Sequence, residues 1–229
     1  MIQIEDYNNI EGRYWGIPLA HNPLSLWVMD QILYELKPKT IIELGTFCGG
    51  LTLFLAGWAT CNNVKNFLTI DILDLETKLS LCYQGAIGQF NYENCKRTWQ
   101  DSQINNNHFE ASFIYETKNK AITITSAIQK LCPFTQFLLG DCFDSNGEVY
   151  SKIQEKTKQT PVFLYCDNGD KPKELSLYAP LIPKGSVIGT HDWGTEVHEE
   201  SSEELIKLGF EVYYTDTDIK TLTRYWIKT

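Results

Sequence analysis

The stretch that decides the fold is Thr-Ile-Ile-Glu-Leu-Gly-Thr-Phe-Cys-Gly-Gly, residues 40–50. Its apolar first half, residues 40–44, predicts a short buried strand, and residues 45–50 predict a glycine-rich turn. Residues 51–60 are apolar on several sides and predict a helix. A strand, a turn and a helix in this order form the repeating unit of an α/β sheet.

The same order recurs along the chain. Four further strands are predicted, at residues 66–71, 134–140, 162–166 and 186–190. Predicted helices lie at residues 23–36, 147–157, 173–181 and 196–208. This alternation implies right-handed crossovers and a parallel sheet with helices on both faces. We therefore predict an α/β fold with a Rossmann-like, doubly wound sheet.

The end of the chain follows a different pattern. Residues 209–215 and 221–227 are two β-rich runs, separated only by the turn-like Asp216-Thr217-Asp218 region. This spacing leaves no room for a crossover helix, so it predicts a C-terminal antiparallel hairpin at or near one edge of the mostly parallel sheet.

The length and composition bound the domain organisation. With 229 residues, 43% of them hydrophobic, we expect one domain over residues 1–229. It would carry a helical lead-in at residues 1–38 and a helical insertion at residues 72–133. Leu79, Tyr83, Ala86 and Phe90 share one helical face in that insertion, whereas the alternating residues 122–125 fit a strand equally well.

Charge and cysteine usage exclude several classes of partner. The formal net charge of -9 is a poor match for a phosphate backbone, so we expect no nucleic-acid partner. Residues 41–59 hold Glu43 and four glycines, which argues against a bilayer span. Seven scattered cysteines without a C-x-x-C pair, and an N-terminus without a secretory pattern, predict a cytoplasmic protein.

Candidate functional residues cluster at the ends of the predicted strands. Ligands of open parallel sheets bind beyond the carboxyl ends of the strands, where loops and helix N-termini meet. All five predicted parallel strands have acidic residues there: Glu43, Asp71, Asp141, Asp167 and Asp192, the last next to His191. We expect these side chains to form one ligand site.

The first loop and the second strand end fit a nucleoside ligand. The loop is neither G-x-x-x-x-G-K-[ST] nor G-x-G-x-x-G, but Gly45 permits a tight turn and Gly49 permits close approach of a ligand. Asp71 follows Gly49 by 22 residues, where a carboxylate can accept hydrogen bonds from both ribose hydroxyls. The alternative is that Asp71 caps a following helix.

The later strand ends fit a cation. Ends of adjacent parallel strands lie roughly 5 Å apart, so Asp167 and Asp192 can share a hard divalent ion. Alternatively, both acids anchor loops and His191 is a hydrogen-bonded core residue. Lys171 can stay charged beside the acids or, if desolvated, act as a base.

These motifs resemble those of class I S-adenosylmethionine-dependent methyltransferases. Residues 43–49 look like the first motif of that family, Asp71 like its ribose acid, and Gly140-Asp141 like its acid loop near the adenine. More narrowly, residues 14–18, 42–50 and 177–185 resemble the cephalosporin hydroxylase-like branch, which is similar to metal-dependent O-methyltransferases of natural-product and sugar tailoring.

The resemblance implies S-adenosylmethionine as cofactor, on Glu43, Gly45, Thr46, Gly49, Asp71 and Asp141. It also implies a divalent metal, magnesium above all, on Asp167 and on the adjacent pair His191-Asp192, where related enzymes usually show Glu-Asp or Asp-Asn. The expected reaction is O-methylation of a small polar acceptor, with His191 or Lys171 taking the proton.

Two other functions remain open at this point. One is a metal-independent N- or C-methyltransferase, and the other is a nicotinamide-dependent oxidoreductase, against which the missing G-x-G-x-x-G argues. The insertion at residues 72–133 would shape either the acceptor pocket or a contact between subunits of a homo-oligomer.

Overall fold

The computed structural model describes residues 12–14, 17–21, 23–78, 123–214 and 221–229. Its centre is a seven-stranded sheet in the order β5-β4-β3-β6-β7-β9-β8. The strands of this sheet are β3 Thr40–Leu44, β4 Asn66–Asp71, β5 Thr135–Leu139, β6 Val162–Cys166, β7 Val187–Thr190, β8 Phe210–Tyr214 and β9 Arg224–Lys228. Every predicted strand is therefore present, with ends that agree to within three residues.

Helices connect the parallel strands, as the alternation predicted. They are α1 Pro23–Leu36, α2 Gly50–Cys61, α3 Ile124–Leu131, α4 Glu148–Lys156, α5 Lys171–Tyr178 and α6 Glu199–Lys207, with a 3-10 turn at Ala179–Leu181. Among the described helices, none combines the length and the apolar character that a membrane span needs.

Helix α3 decides between the two interpretations of residues 122–125. The side chain of Thr123 accepts a hydrogen bond from the backbone N–H of Ser126 at 3.1 Å, which caps a helix that begins at Ile124. The strand alternative is therefore wrong. The predicted helical face through Leu79, Tyr83, Ala86 and Phe90 lies outside the described residues.

The chain direction of the strands confirms the α/β prediction. Strands β3 to β7 pair in parallel, whereas β9 runs antiparallel between β7 and β8. The predicted C-terminal hairpin is thus present, with β8 at the sheet edge. From β3 the chain proceeds outward through β4 to β5 and then returns to the other side of β3 as β6, so the strand order reverses between β3 and β6.

The core lies on both faces of the sheet because the central strands are buried on both sides. Neighbouring residues of β3 point to opposite faces: Ile41 packs in one apolar cluster with residues of α1, α2 and α3, and Ile42 packs in a second with residues of α4, α5 and α6. This double burial explains why β3 and β6 have near-continuous apolar sequences.

The lead-in is not helical throughout. Strands β1 Gly12–Tyr14 and β2 Ile17–Leu19 form a small antiparallel sheet before α1. Ile17 and Leu19 are both buried in the core, which suits a strand because residues two apart share one face. The helical expectation for residues 1–38 therefore holds only for α1, and the division into a single domain stays a prediction.

Candidate active site

The glycine-rich loop packs its backbone against the end of strand β6. Gly45 has a φ of +96° and Gly49 a φ of +83°, a region that favours glycine. A Cβ atom on Gly45 would collide with the backbone carbonyl oxygen of Asp167. The loop that follows β3 therefore lies against the end of β6, at the point where the strand order reverses.

Glu43 is a buried carboxyl group at the end of β3. Thr52 and Thr69 donate hydrogen bonds to its Oε2 atom at 2.7 and 2.6 Å, and Oε1 has no hydrogen-bond partner among the described residues. Burial raises the pKa of Glu43 to about 8. Thr46 extends the chain of hydroxyl groups, because its Oγ1 atom lies 2.6 Å from that of Thr69. A cation placed near Glu43 would favour its ionised form.

Asp71 is buried at the end of β4 and ties this strand to the glycine-rich loop. The backbone N–H of Phe47 donates to its Oδ2 atom at 3.0 Å, and that of Ile72 donates to Oδ1 at 2.7 Å. The ammonium group of Lys78 lies 2.5 Å from Oδ2. Lys78 thus pairs with the carboxylate oxygen that the predicted contact with a ribose hydroxyl would need.

The helix that follows Asp71 is capped by another residue. The helical residues 75–78 are preceded by Asp74, whose carboxylate accepts the backbone N–H of Thr77 at 2.8 Å and the hydroxyl of Thr77 at 2.6 Å. Asp74 is therefore the cap, which leaves Asp71 with an anchoring role and with a carboxylate at the expected ribose position.

Asp141 follows β5 at the same sheet edge. Its side chain is exposed and accepts the backbone N–H of Phe143 at 2.8 Å, as in a tight turn. Among the described residues, no side-chain hydrogen bond joins Asp141 to Glu43 or Asp71, so its place near an adenine ring stays a prediction.

Asp167 lies between two histidine side chains. Its Oδ1 atom is 3.3 Å from Nδ1 of His191, and its Oδ2 atom is 3.5 Å from Nε2 of His21. The two imidazole rings stack with centroids 4.3 Å apart, and the hydroxyl group of Tyr165 lies 3.1 Å from Nε2 of His21. Strands β6 and β7 therefore bring together Asp167 and His191 as predicted, and the chain after β2 adds His21.

Lys171 separates the carboxylates of Asp167 and Asp192. Its ammonium group lies 2.8 Å from Oδ2 of Asp192, 3.0 Å from Glu196 and 3.9 Å from Oδ1 of Asp167. Asp192 itself has a φ of +58°, which is uncommon for a residue with a side chain. Both Lys171 and Nδ1 of His191, 3.3 Å from Asp167 and 3.5 Å from Asp192, therefore lie between the two acids.

The electrostatics of this cluster follow from burial and from its mixed charges. Burial, together with the neighbouring His191, lowers the pKa of His21 to about 3, so His21 is neutral. Burial alone would raise the pKa of Asp167, but His191, His21 and Lys171 together lower it. Burial would lower the pKa of Lys171, yet Asp167 and Asp192 raise it well above its usual value. Lys171 is thus held as an ammonium ion.

Burial and neighbouring charges also have opposite effects on the pKa of His191. Burial would lower its pKa, but the charge of Asp167 and the contact with that carboxylate raise it. Its basicity is therefore increased by an acid neighbour, as in an acid–histidine pair.

Sequence reasoning missed His21, Glu196 and Lys78. His21 follows β2 and carries no spacing signal that links it to Asp167; only its position beside the apolar lead-in could have suggested burial. The side chain of Asp170 caps α5 by accepting the N–H of Lys173 at 3.1 Å. Trp193, which follows Asp192, packs edge-on against Trp226, and the guanidinium group of Arg224 lies over its ring.

The comparisons with known proteins bear on both fold and family. The model of the family described as Rhamnosyl O-methyltransferase/CmcI matches residues 7–80, about a third of the chain. A structure described as a putative caffeoyl-CoA O-methyltransferase from Staphylococcus aureus aligns with a TM-score of 0.53, 16% identity, and coverage of 93% of this chain and 86% of that one. The chain has the class I methyltransferase fold.

Two further solved structures are similar to this chain over most of its length. The CmcI-N160 apo-structure aligns with a TM-score of 0.58 and 15% identity over 95% of this chain and 76% of that one. A structure described as cmcI-D160 Mg-SAM aligns with a TM-score of 0.57 and 14% identity, over 96% and 78% of the two chains. No curated protein matches the sequence. The family match includes residues 14–18, 42–50 and Asp71, which carry part of the resemblance, and the structural likeness shows the methyltransferase fold.

Proposed function

We propose that this protein transfers a methyl group from S-adenosylmethionine to an oxygen atom of a small polar acceptor. One observation carries the proposal: the glycine-rich loop contacts both Asp71, through the N–H of Phe47, and Asp167, through Gly45. The expected ribose position and the polar cluster of the later strands are thus joined by a single loop. Methyl transfer requires the reacting atoms in near contact, and this arrangement would bring a methyl donor and an acceptor next to each other.

The cofactor would lie over the ends of β3, β4 and β5. Glu43, Gly45, Thr46 and Gly49 would hold the methionine part, whose positive charges suit a buried carboxyl group that has no cationic partner among the described residues. Asp71 would accept the ribose hydroxyl groups in place of Lys78. Asp141 would lie near the adenine.

The acceptor would lie over the ends of β6 and β7. Of the two residues that we expected to take its proton, His191 fits better than Lys171, because Lys171 is held as an ammonium ion by its acid neighbours. Asp167 would orient the imidazole and stabilise its protonated form.

The residues present do not fit the expected magnesium set of Asp167, His191 and Asp192. Magnesium prefers oxygen ligands in an octahedral arrangement, but the carboxylate of Asp192 is paired with Lys171 at 2.8 Å. A divalent ion at this edge would supply one function, a lower pKa of the acceptor hydroxyl. A different set of residues, His21, Asp167 and His191, lies close enough together to hold a divalent ion.

The ammonium group of Lys171 between the two acids favours a second candidate, a metal-independent methyltransferase acting on nitrogen or carbon. In that case Asp167 and His191 would position the acceptor without a cation. We further propose a small-molecule acceptor and a cytoplasmic location for either candidate.

Calorimetric titration of the purified protein with S-adenosylmethionine, S-adenosylhomocysteine and NAD⁺ tests the proposal. We expect micromolar binding of the first two ligands and no binding of NAD⁺. Binding of NAD⁺ alone would favour an oxidoreductase, and a folded protein that binds none of the three would overturn the proposal.

A further inference from the structure

We propose that His21, Asp167 and His191 form a binding site for a divalent transition-metal ion of the imidazole-binding class, such as Zn²⁺ or Co²⁺, and not for Mg²⁺. The inference rests on the proposed function only for the role of this edge of the sheet as the acceptor side. When the ion is bound, His191 is one of its ligands and no longer takes the acceptor proton; the ion would instead lower the pKa of the acceptor hydroxyl. The inference differs from the sequence prediction in two respects: His21 replaces Asp192 as a ligand, and the ion is of a different class.

The geometry brings one candidate ligand atom from each residue within 4.8 Å of the others. The distances from Asp167 are 3.3 Å to His191 Nδ1 and 3.5 Å to His21 Nε2. Metal–nitrogen and metal–oxygen bonds of about 2.1 Å in a tetrahedral site place neighbouring ligand atoms about 3.4 Å apart. The two spacings from Asp167 match those of ligands of one ion, and the remaining atoms lie within reach after small side-chain rotations.

Binding of a metal ion to the two histidines is favoured over protonation of both. Their rings are stacked at 4.3 Å, so two imidazolium ions would repel each other at close range. His21 is only 3% exposed and its Nδ1 atom has no hydrogen-bond partner among the described residues. The hydroxyl group of Tyr165 lies 3.1 Å from the same Nε2 atom of His21 that lies near Asp167, so a bound ion would replace this contact.

The donor set selects the class of ion. Lys171 pairs with Oδ2 of Asp192 and with Glu196, whereas Oδ1 of Asp192 lies 3.5 Å from Nδ1 of His191. The cluster therefore offers two imidazoles and the carboxylate of Asp167, with Asp192 beside His191. Imidazole nitrogen suits Zn²⁺, Fe²⁺, Ni²⁺ and Cu²⁺, whereas Mg²⁺ requires oxygen ligands. The ammonium group 3.9 Å from Asp167 opposes any cation held by charge alone, so direct bonding to the imidazoles has to supply the affinity.

The test is a titration of the metal-free full-length protein with Co²⁺, followed by visible absorption, and with Mg²⁺, followed by calorimetry. Wild type, His21→Gln and the matched control His198→Gln are compared, because His198 is exposed and precedes α6 outside the cluster. We expect one Co²⁺ ion with d–d bands and no thiolate charge-transfer band in the wild type and the control. His21→Gln should weaken Co²⁺ binding by more than about 100-fold, since loss of even an outer partner costs 10–100-fold.

Equal Co²⁺ affinity of His21→Gln and wild type would overturn the proposal, as would a thiolate band or binding of Mg²⁺ alone. If His21→Gln does not fold, His191→Gln provides a second test, with circular dichroism to check its folding. The His191→Gln variant should lose Co²⁺ binding. A folded His191→Gln variant that still binds Co²⁺ would overturn the site. Titration with S-adenosylmethionine separates the two proposals. Cofactor binding without Co²⁺ binding overturns only the metal site, and the reverse result overturns only the proposed function.

Discussion

The backbone of Gly45 lies so close to the carbonyl oxygen of Asp167 that a single added carbon atom at Gly45 would collide with it. This contact joins the loop after β3 to the end of β6, across the point where the strand order reverses. Because the expected cofactor loop and the histidine–aspartate cluster meet there, a change at Gly45 should affect both.

Gly45→Ala should destabilise the fold and abolish cofactor binding. The positive φ of +96° costs a residue with a side chain about 1–3 kcal/mol, and the collision with Asp167 adds to this cost because backbone has to move. Urea denaturation would measure the loss of stability, and calorimetry with S-adenosylmethionine the loss of binding.

Gly185→Ala is the matched control. Gly185 has a comparable φ of +73°, but an added Cβ atom there would meet nothing within 4 Å. Its loss of stability should reflect backbone strain alone and its cofactor affinity should be unchanged. Equal losses of stability in the two variants would show that the contact with Asp167 does not matter.

Asp71→Asn should weaken S-adenosylmethionine binding about 10- to 100-fold, because the ribose hydroxyls would lose a charged acceptor whose hydrogen bonds contribute about 1.5–3 kcal/mol each. Calorimetry checks this, with Glu155→Gln as the control, since Glu155 is exposed in the last turn of α4, ahead of β6. Wild-type affinity of a folded Asp71→Asn variant would remove Asp71 from the cofactor site.

Glu43→Gln should change how stability depends on pH. In the folded protein burial raises the pKa of Glu43 to about 8, whereas the unfolded chain has the ordinary value of 4.5. The folded state therefore retains a proton that the unfolded state has lost, so wild-type stability is fully present below pH 4.5 and falls as the pH rises to about 8.

The glutamine variant cannot ionise, so its stability relative to wild type should increase across that window by a few kcal/mol, on the order of 1.4 kcal/mol per pH unit at most. Urea denaturation at several pH values would show this. Parallel pH profiles for the two proteins would mean that Glu43 is ionised in the folded state at neutral pH.

Lys171→Met should destabilise the protein by about 3 kcal/mol, because it leaves Asp167 and Asp192 without their shared cation. Lys173→Met is the control: this lysine is exposed in the same helix turn and lies over the ring of Phe143. Urea denaturation should show little change in the control. A Lys171→Met variant as stable as wild type would indicate that solvent screens these ion pairs.

The sheet could be predicted from the sequence because its signals are local. Strand β3 and the parallel strands after it are short apolar runs that end at polar residues. Because these strands run in the same direction, the acidic residues at their ends meet at one edge of the sheet. For the same reason Asp167 and His191, at the ends of adjacent strands, were correctly placed together.

The remainder of the candidate site depends on side-chain direction and on contacts between distant segments. The sequence does not reveal that Asp192 adopts a positive φ and turns to Lys171, or that His21 reaches Asp167 from the far end of the chain. These two features change the expected oxygen-rich magnesium site into a cluster with two imidazoles. Helix α3 is a similar case, because alternation over four residues is too short to separate a strand from a helix start.

A crystal structure of the protein with S-adenosylhomocysteine would show where the cofactor binds. We predict that the ribose hydroxyl groups bind the carboxylate of Asp71, that Lys78 has moved from Oδ2, and that the sulfur atom faces Asp167 and His191 across Gly45. A nucleoside bound elsewhere, with the Asp71–Lys78 pair intact, would rule out the proposed cofactor site.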